Sequence, residues 1–165
     1  MRLMAMFSRD AAADPEVQRC ALRAAAWGRG SSLAHRALGV WLWLKHCIKF
    51  RRDEITARRL GLGDAFDLVI DPRVLVRMQD PAEDCDGFAT CGASLLRVLG
   101  IPFYFAAAAT EGHEPGRWSH TWLVVALGGR LVDLDASHGR WFGWGVPAER
   151  RYRFGLWNSE GVRVA

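Results

Sequence analysis

Glu83-Asp84-Cys85-Asp86-Gly87-Phe88-Ala89 sets a single thiol at the start of an apolar helical pattern, and the reading of the chain works outward from it. Asp84 is a favourable N-cap residue, because its carboxylate can accept from the N–H groups a helix start leaves unpaired. Behind it Phe88, Ala89, Gly92, Leu95, Leu96 and Leu99 recur at three- and four-residue spacing until Gly100 and Pro102 stop the helix. Cys85 then takes the first helical position, where the exposed N–H groups and the positive end of the helix dipole favour thiolate. Asp84 and Asp86 oppose that by like-charge repulsion, so the helix end alone does not activate the thiol. A neighbouring imidazolium is required.

The segment that follows supplies one. Ile101 to Ala109 reads as an apolar strand and Thr110 to Ser119 as a polar loop. Thr121 to Leu127 and Arg130 to Asp135 read as a hairpin about the two-residue turn Gly128-Gly129. That turn places Leu127 opposite Arg130, Val125 opposite Val132 and Leu123 opposite Leu134, so Asp135 falls opposite Trp122, two residues from His120. Such diagonal neighbours lie roughly 7 Å apart at the backbone, within reach for an imidazole N–H and a carboxylate. Asp133 shares this face but lies farther from His120, which makes Asp135 the preferred orienter. Cys85, His120 and Asp135 are therefore the candidate nucleophile, general base and orienting acid of a thiol-based acyl transfer. The backbone N–H of Cys85 is one natural oxyanion donor, and the Gln79 side-chain amide is the candidate for a second, competing with its reading as a surface glutamine.

Four linked blocks resemble the transglutaminase-like superfamily of cysteine enzymes. They are Asp84 to Ala89, Leu95 to Pro102, Ser119-His120-Thr121-Trp122 and Gly129 to Asp135. The resemblance implies a papain-like α+β fold, in which N-terminal helices and a nucleophile-bearing helix pack on a small antiparallel sheet. It also implies the roles of nucleophile, base and orienter for Cys85, His120 and Asp135. Gly87 stands where many members carry a second acid, and Ala136-Ser137 where a Pro-Thr pair is common. The superfamily includes hydrolases, cross-linkers and members without activity, and compact versions occur in bacteria and tailed bacteriophages.

With 165 residues, half of them hydrophobic and 24% charged, the chain suits one domain with a sizeable core. The expected division is a helical part over 1–80, a catalytic core over 81–137 and an aromatic, arginine-rich segment over 138–165. The net charge of +4 is dispersed and argues against specific nucleic-acid binding. Ala37 to Leu44 is the only membrane candidate and falls well short of the roughly 20 residues a membrane-spanning helix needs, so it reads as a core helix. Met1 to Phe7, ended by Ser8-Arg9-Asp10, is too short for a secretory core. Cys20, Cys47, Cys85 and Cys91 show no disulfide framework, which suits a reducing compartment such as the bacterial or host cytoplasm, with virion association as the phage-type variant. A zinc site from Cys85, His120 and Asp135 lacks the closely spaced cysteine pairs of structural zinc, and the chemistry calls for no cofactor.

Asp14-Pro15 begins a helix with a Val17, Cys20, Ala21, Ala24 stripe, and Ser31 or Ser32 caps another through about Ile48. Phe50 to Met78 reads as loops and short turns beside the substrate groove. In 138–165 the aromatics Trp141, Phe142, Trp144, Tyr152, Phe154 and Trp157 interleave with arginines. They either complete the core or contact a protein partner, with Trp141 to Trp144 as a candidate wall of the cleft. His113 and His138 read as solvated loop residues. The expected substrate is a protein or peptide carbonyl, hydrolysed rather than cross-linked; the alternative is a non-catalytic assembly or virion protein keeping the same fold.

Overall fold

The structure, a computed structural model, describes residues 1–53, 55, 61 and 68–165. Residues 54, 56–60 and 62–67 of the Phe50 to Met78 expectation therefore lie outside the described residues. The chain opens with three helices, α1 (Arg2–Ala12), α2 (Pro15–Trp27) and α3 (Leu33–Cys47). The Asp14 carboxylate accepts from the Glu16 and Val17 N–H groups at the start of α2, and Ser32 Oγ accepts from the His35 N–H at the start of α3. Both caps satisfy donors that would otherwise be orphaned. Helix α1 is an element that the apolar run Met1 to Phe7 did not announce: the helix continues through Ser8-Arg9-Asp10. Met4, Ala5, Ser8 and Ala11 form its buried stripe, and Ser8 Oγ is satisfied by the Ala5 carbonyl.

A short parallel pair, β1 (Lys49–Phe50) and β2 (Ala82–Glu83), brackets the short helix α4 (Pro72–Leu75) and leads directly into α5 (Cys85–Val98). Helix α5 is buried without interruption from Gly87 to Leu96, with α1, α2 and α3 packed around it. A helix enclosed on every side tolerates few bulky or polar residues, and its small residues Ala89, Gly92 and Ala93 let the neighbours come close. Its end is a Schellman arrangement: the Ile101 N–H donates to the Leu96 carbonyl at 3.0 Å and the Gly100 N–H to the Arg97 carbonyl at 3.1 Å.

Strands β3 (Phe103–Thr110), β4 (His120–Leu127), β5 (Arg130–Leu134) and β6 (Arg151–Asn158) form an antiparallel sheet in the order β5-β4-β3-β6. Gly128 and Gly129 both have positive φ, +57° and +78°, as a primed turn demands. The register follows: Leu127 faces Arg130, Val125 faces Val132 and Leu123 faces Leu134. Phe105, Leu123 and Val125 point to the helices and join Leu44, Leu95 and Leu96 in the main core. Ala106, Ala108, Trp122 and Val124 point the other way and are covered by Val146, Trp144, Phe154 and Leu156. The aromatic C-terminal segment thus closes the second face of the sheet and adds β6 to its edge.

Candidate active site

Three elements converge on the end of the sheet nearest the α5 N-terminus. Asp84 Oδ1 accepts from the Asp86 N–H at 3.1 Å and the Asp84 carbonyl from the Phe88 N–H at 3.0 Å, which starts α5 at Cys85. The β1–β2 pairing anchors that start from behind, with Phe50 opposite Glu83. The Glu83 carboxyl is buried and accepts from the Ile70 N–H at 2.8 Å. It also fills the space beside the first turn of α5: a Cβ on Gly87 would stand 2.4 Å from its carboxyl carbon. An acid at position 87, common in the resembled superfamily, would collide with this one. Burial raises the Glu83 pKa to about 8, with the Asp84 and Asp53 charges adding and the Ile70 N–H opposing, so Glu83 is mostly protonated at neutral pH.

The thiol of Cys85 lies against the backbone N–H of Thr121, the second residue of β4. Burial raises its pKa well above the ordinary thiol value, the Asp84 charge adds to that, and the Thr121 N–H opposes it. Desolvation is the dominant cause and depends on packing that spacing along the chain does not reveal. The resting group is the thiol, and helix-end activation does not prevail.

His120 opens β4, and its ring stacks on Trp122 at 5.4 Å between centroids and 17° between planes. Its Nε2 is 2.7 Å from Asp135 Oδ2, a buried pair with 8% and 1% side-chain exposure. The second oxygen of Asp135 accepts from Ser137 Oγ and from the His138 N–H, each at 2.9 Å. Burial alone would raise the Asp135 pKa; the His120 ring, the His138 N–H and the Ser137 hydroxyl together hold it below the ordinary value. An ionised Asp135 makes Nε2 the protonated nitrogen of a neutral His120, so Nδ1 carries the lone pair. Asp133, the competing acid, accepts instead from Trp122 Nε1 at 2.6 Å.

Residues that spacing did not single out complete the support. Trp41 Nε1 donates to the Asp135 carbonyl at 2.9 Å and Lys45 Nζ to the Gly139 carbonyl at 2.8 Å, so α3 holds the turn that carries the acid. Ser137, at the departure from the common Pro-Thr pair, supplies a hydroxyl to Asp135. His138 is exposed, as expected of a loop residue, yet its ring packs edge-on to His120 at 4.6 Å and to Phe50 at 4.8 Å. Only the loop position of His138 was legible; that contact needs the turn to form.

Cys85 and His120 line one cleft of about 690 Å³, together with Asp84, Asp86, Trp118 and Trp157. Gln79 is exposed on the approach to β2 and is not among the residues lining this cleft, so its amide has no visible route to an oxyanion. Trp141 to Trp144 do not wall the cleft; Trp141 is exposed, Phe142 packs on the main core and Trp144 on the far face of the sheet. Tryptophans 118 and 157 hold that position. His120, Asp135 and His138 offer ligand atoms within 4.8 Å of one another, as do Asp53, Asp84 and Asp86. In the first group both Asp135 oxygens already receive protein hydrogen bonds, an arrangement suited to steering a proton.

No protein-family model matches this sequence, and no curated protein matches it. The fold, α+β with helices packed on an antiparallel sheet, is similar to that of solved structures named as proteases and a TGase. Solved structures with this likeness include a "putative cysteine protease" from Cytophaga hutchinsonii, with TM-score 0.53, 17% identity, 74% of this chain and 37% of the other covered. A TGase aligns with TM-score 0.51, 13% identity and 75% of this chain against 32% of its own. A "putative protease" from Parabacteroides distasonis aligns with TM-score 0.59, 11% identity and 98% of this chain against 30% of its own. The chain thus spans about a third of the length of these proteins.

Proposed function

We propose that this chain is a cysteine-dependent acyl-transfer enzyme, a peptidase or amidase of the transglutaminase-like class acting through Cys85, His120 and Asp135. The observation that carries the reading is the 2.7 Å His120 Nε2 to Asp135 contact, which leaves Nδ1 as the basic nitrogen in the cleft that also holds the Cys85 thiol. In the reaction Nδ1 takes the Cys85 proton as sulfur attacks the substrate carbonyl carbon. The resulting oxyanion is met by the Cys85 N–H, which has no acceptor among the described residues. The imidazolium returns the proton to the departing amine, the C–N bond breaks, and a thioester remains. Water, deprotonated by His120, hydrolyses it and restores the thiol. Asp135 stabilises the imidazolium in both halves.

Hydrolysis is the simpler outcome, since cross-linking needs an amine to outcompete water at the thioester. All four cysteines are free, which fits a reducing compartment such as the cytoplasm, and no described helix is long and apolar enough to cross a membrane. The three structures above are named as proteases and a TGase, and none as a virion component.

The test is the rate of Cys85 alkylation by iodoacetamide between pH 4 and 9, followed by mass spectrometry. Labelling of Cys85 that outpaces Cys20, Cys47 and Cys91 and slows at least tenfold in His120→Ala supports the assignment. Labelling indifferent to His120 overturns it.

A further inference from the structure

The cleft is polar in a directional sense. On the side of the thiol it is lined by Asp84 and Asp86; elsewhere its lining includes Trp118, Trp157, Arg2 and Arg163. The two tryptophans meet edge to face, with centroids 5.4 Å apart and planes at 80°. The Arg163 guanidinium lies 5.8 Å from the Trp157 ring, and its Nε donates to the Ala165 carbonyl at 3.0 Å, which fixes where the group is held. Arg2 is brought to the same lip by a close backbone approach. A Cβ on Gly161 would stand 2.9 Å from the Arg2 Cα, so the start of α1 and the 161–163 segment lie against each other.

Many arginines elsewhere are matched with acids: Arg9 and Arg97 with Glu160, Arg73 with Asp71, and Arg77 with Asp14. Arg2 and Arg163, like Arg117 and Arg153, have no side-chain acid at ion-pair distance among the described residues, and what sets them apart is their place on the lining of the cleft that holds Cys85. Two arginines on the lining of the cleft, one of them tied at Nε to the Ala165 carbonyl, beside a paired aromatic surface make a place for an apolar group that carries an anion. The acids beside Cys85 repel the same anion and direct it away from the nucleophile.

We propose that Trp118, Trp157, Arg163 and Arg2 form a substrate subsite for a carboxylate borne on an apolar or aromatic group, so that the preferred substrates are acidic acyl compounds or peptides. This deepens the cysteine-enzyme reading and rests on it for the reaction, while its binding chemistry is separately testable. The carboxylate comes either from a peptide C-terminus or from an Asp or Glu side chain.

The experiment measures Cys85 alkylation at low salt by three reagents with the same reactive group: N-iodoacetyl-phenylalanine, its carboxamide, and N-iodoacetyl-glutamic acid α-amide. Exposed charge pairs are individually weak, so the expected preference for acid over carboxamide is about fivefold. It should collapse toward unity in the Arg2→Gln/Arg163→Gln double variant and in high salt, and persist in Arg150→Gln, which lies outside the cleft. Preference for the phenylalanine reagent assigns the subsite to a C-terminal carboxylate, and preference for the glutamate reagent to a side chain. Equal rates for acids and carboxamide, or a preference that survives the double variant, overturn the subsite. A persistent preference with labelling indifferent to His120→Ala upholds the subsite and removes the catalytic assignment instead.

Discussion

The reacting end of the molecule and its C-terminal segment are both rich in polar and aromatic side chains, yet they hold them by different means. At the reacting end, His120 and Asp135 are nearly sealed from water and joined by a charge-assisted hydrogen bond, with Ser137 and the His138 N–H occupying the second carboxylate oxygen. In 138–165 the arginines lie over rings at the surface, Arg153 4.6 Å from Trp118 and Arg163 5.8 Å from Trp157, and Trp141 and Tyr152 stand largely in solvent. A buried pair is strong because its partners have no water to fall back on, whereas an exposed contact competes with solvation. Removal of one group should therefore have large effects in the first region and small ones in the second.

The sharpest way to break this contrast is Asp135→Asn. The variant keeps the shape but stabilises the wrong imidazole tautomer, and turnover of any amide substrate should fall by about 10²- to 10⁴-fold with little change in KM. A loss below tenfold would mean that Asp135 does not orient the base.

Next comes Glu83→Gln. In the folded chain burial raises the Glu83 pKa to about 8, against an ordinary 4.5. Its contribution to stability is thus fully present below about pH 4.5 and is lost as pH rises through about 8. Glutamine still accepts from the Ile70 N–H and cannot ionise. The variant should lose part of the fall in melting temperature between pH 5 and 8.5 that wild type shows, as thermal denaturation across that range would reveal. Parallel curves for the two proteins would place the carboxyl in a wetter setting than 2% exposure indicates.

The smallest effect belongs to Trp141→Ala. Its ring is 59% exposed, and chemical denaturation should shift by about 0.5 kcal/mol or less. A larger change would show that the C-terminal aromatics are held as firmly as the buried pair.

The legible parts of the fold are those with short-range rules. Asp14, Ser32 and Asp84 each accept from N–H groups two or three residues on, and the Gly128-Gly129 turn sets the pairing of β4 with β5. The nearness of His120 to Asp135 follows from that register. Helix α1 escaped because Ser8-Arg9-Asp10 interrupts the apolar run; its signal was the Met4, Ser8, Ala11 stripe, where a serine satisfied by its own helix takes a buried place. The roles of Trp41, Trp118 and Trp157 were not legible, since each depends on a partner far along the chain. Gln79 illustrates the opposite error, for nearness to Cys85 in sequence does not bring its amide into the cleft.

By itself the sequence determined the helix that begins at Cys85, the hairpin that aligns His120 with Asp135, and hence the chemical kinds available at one end of the sheet. These follow from local hydrogen bonding and turn geometry, which act over a few residues. Only the tertiary structure decided that the thiol rests protonated, that Glu83 fills the space beside Gly87, and which tryptophans and arginines border the cleft. Desolvation and close contact depend on segments distant in the chain, and no spacing rule along it encodes them.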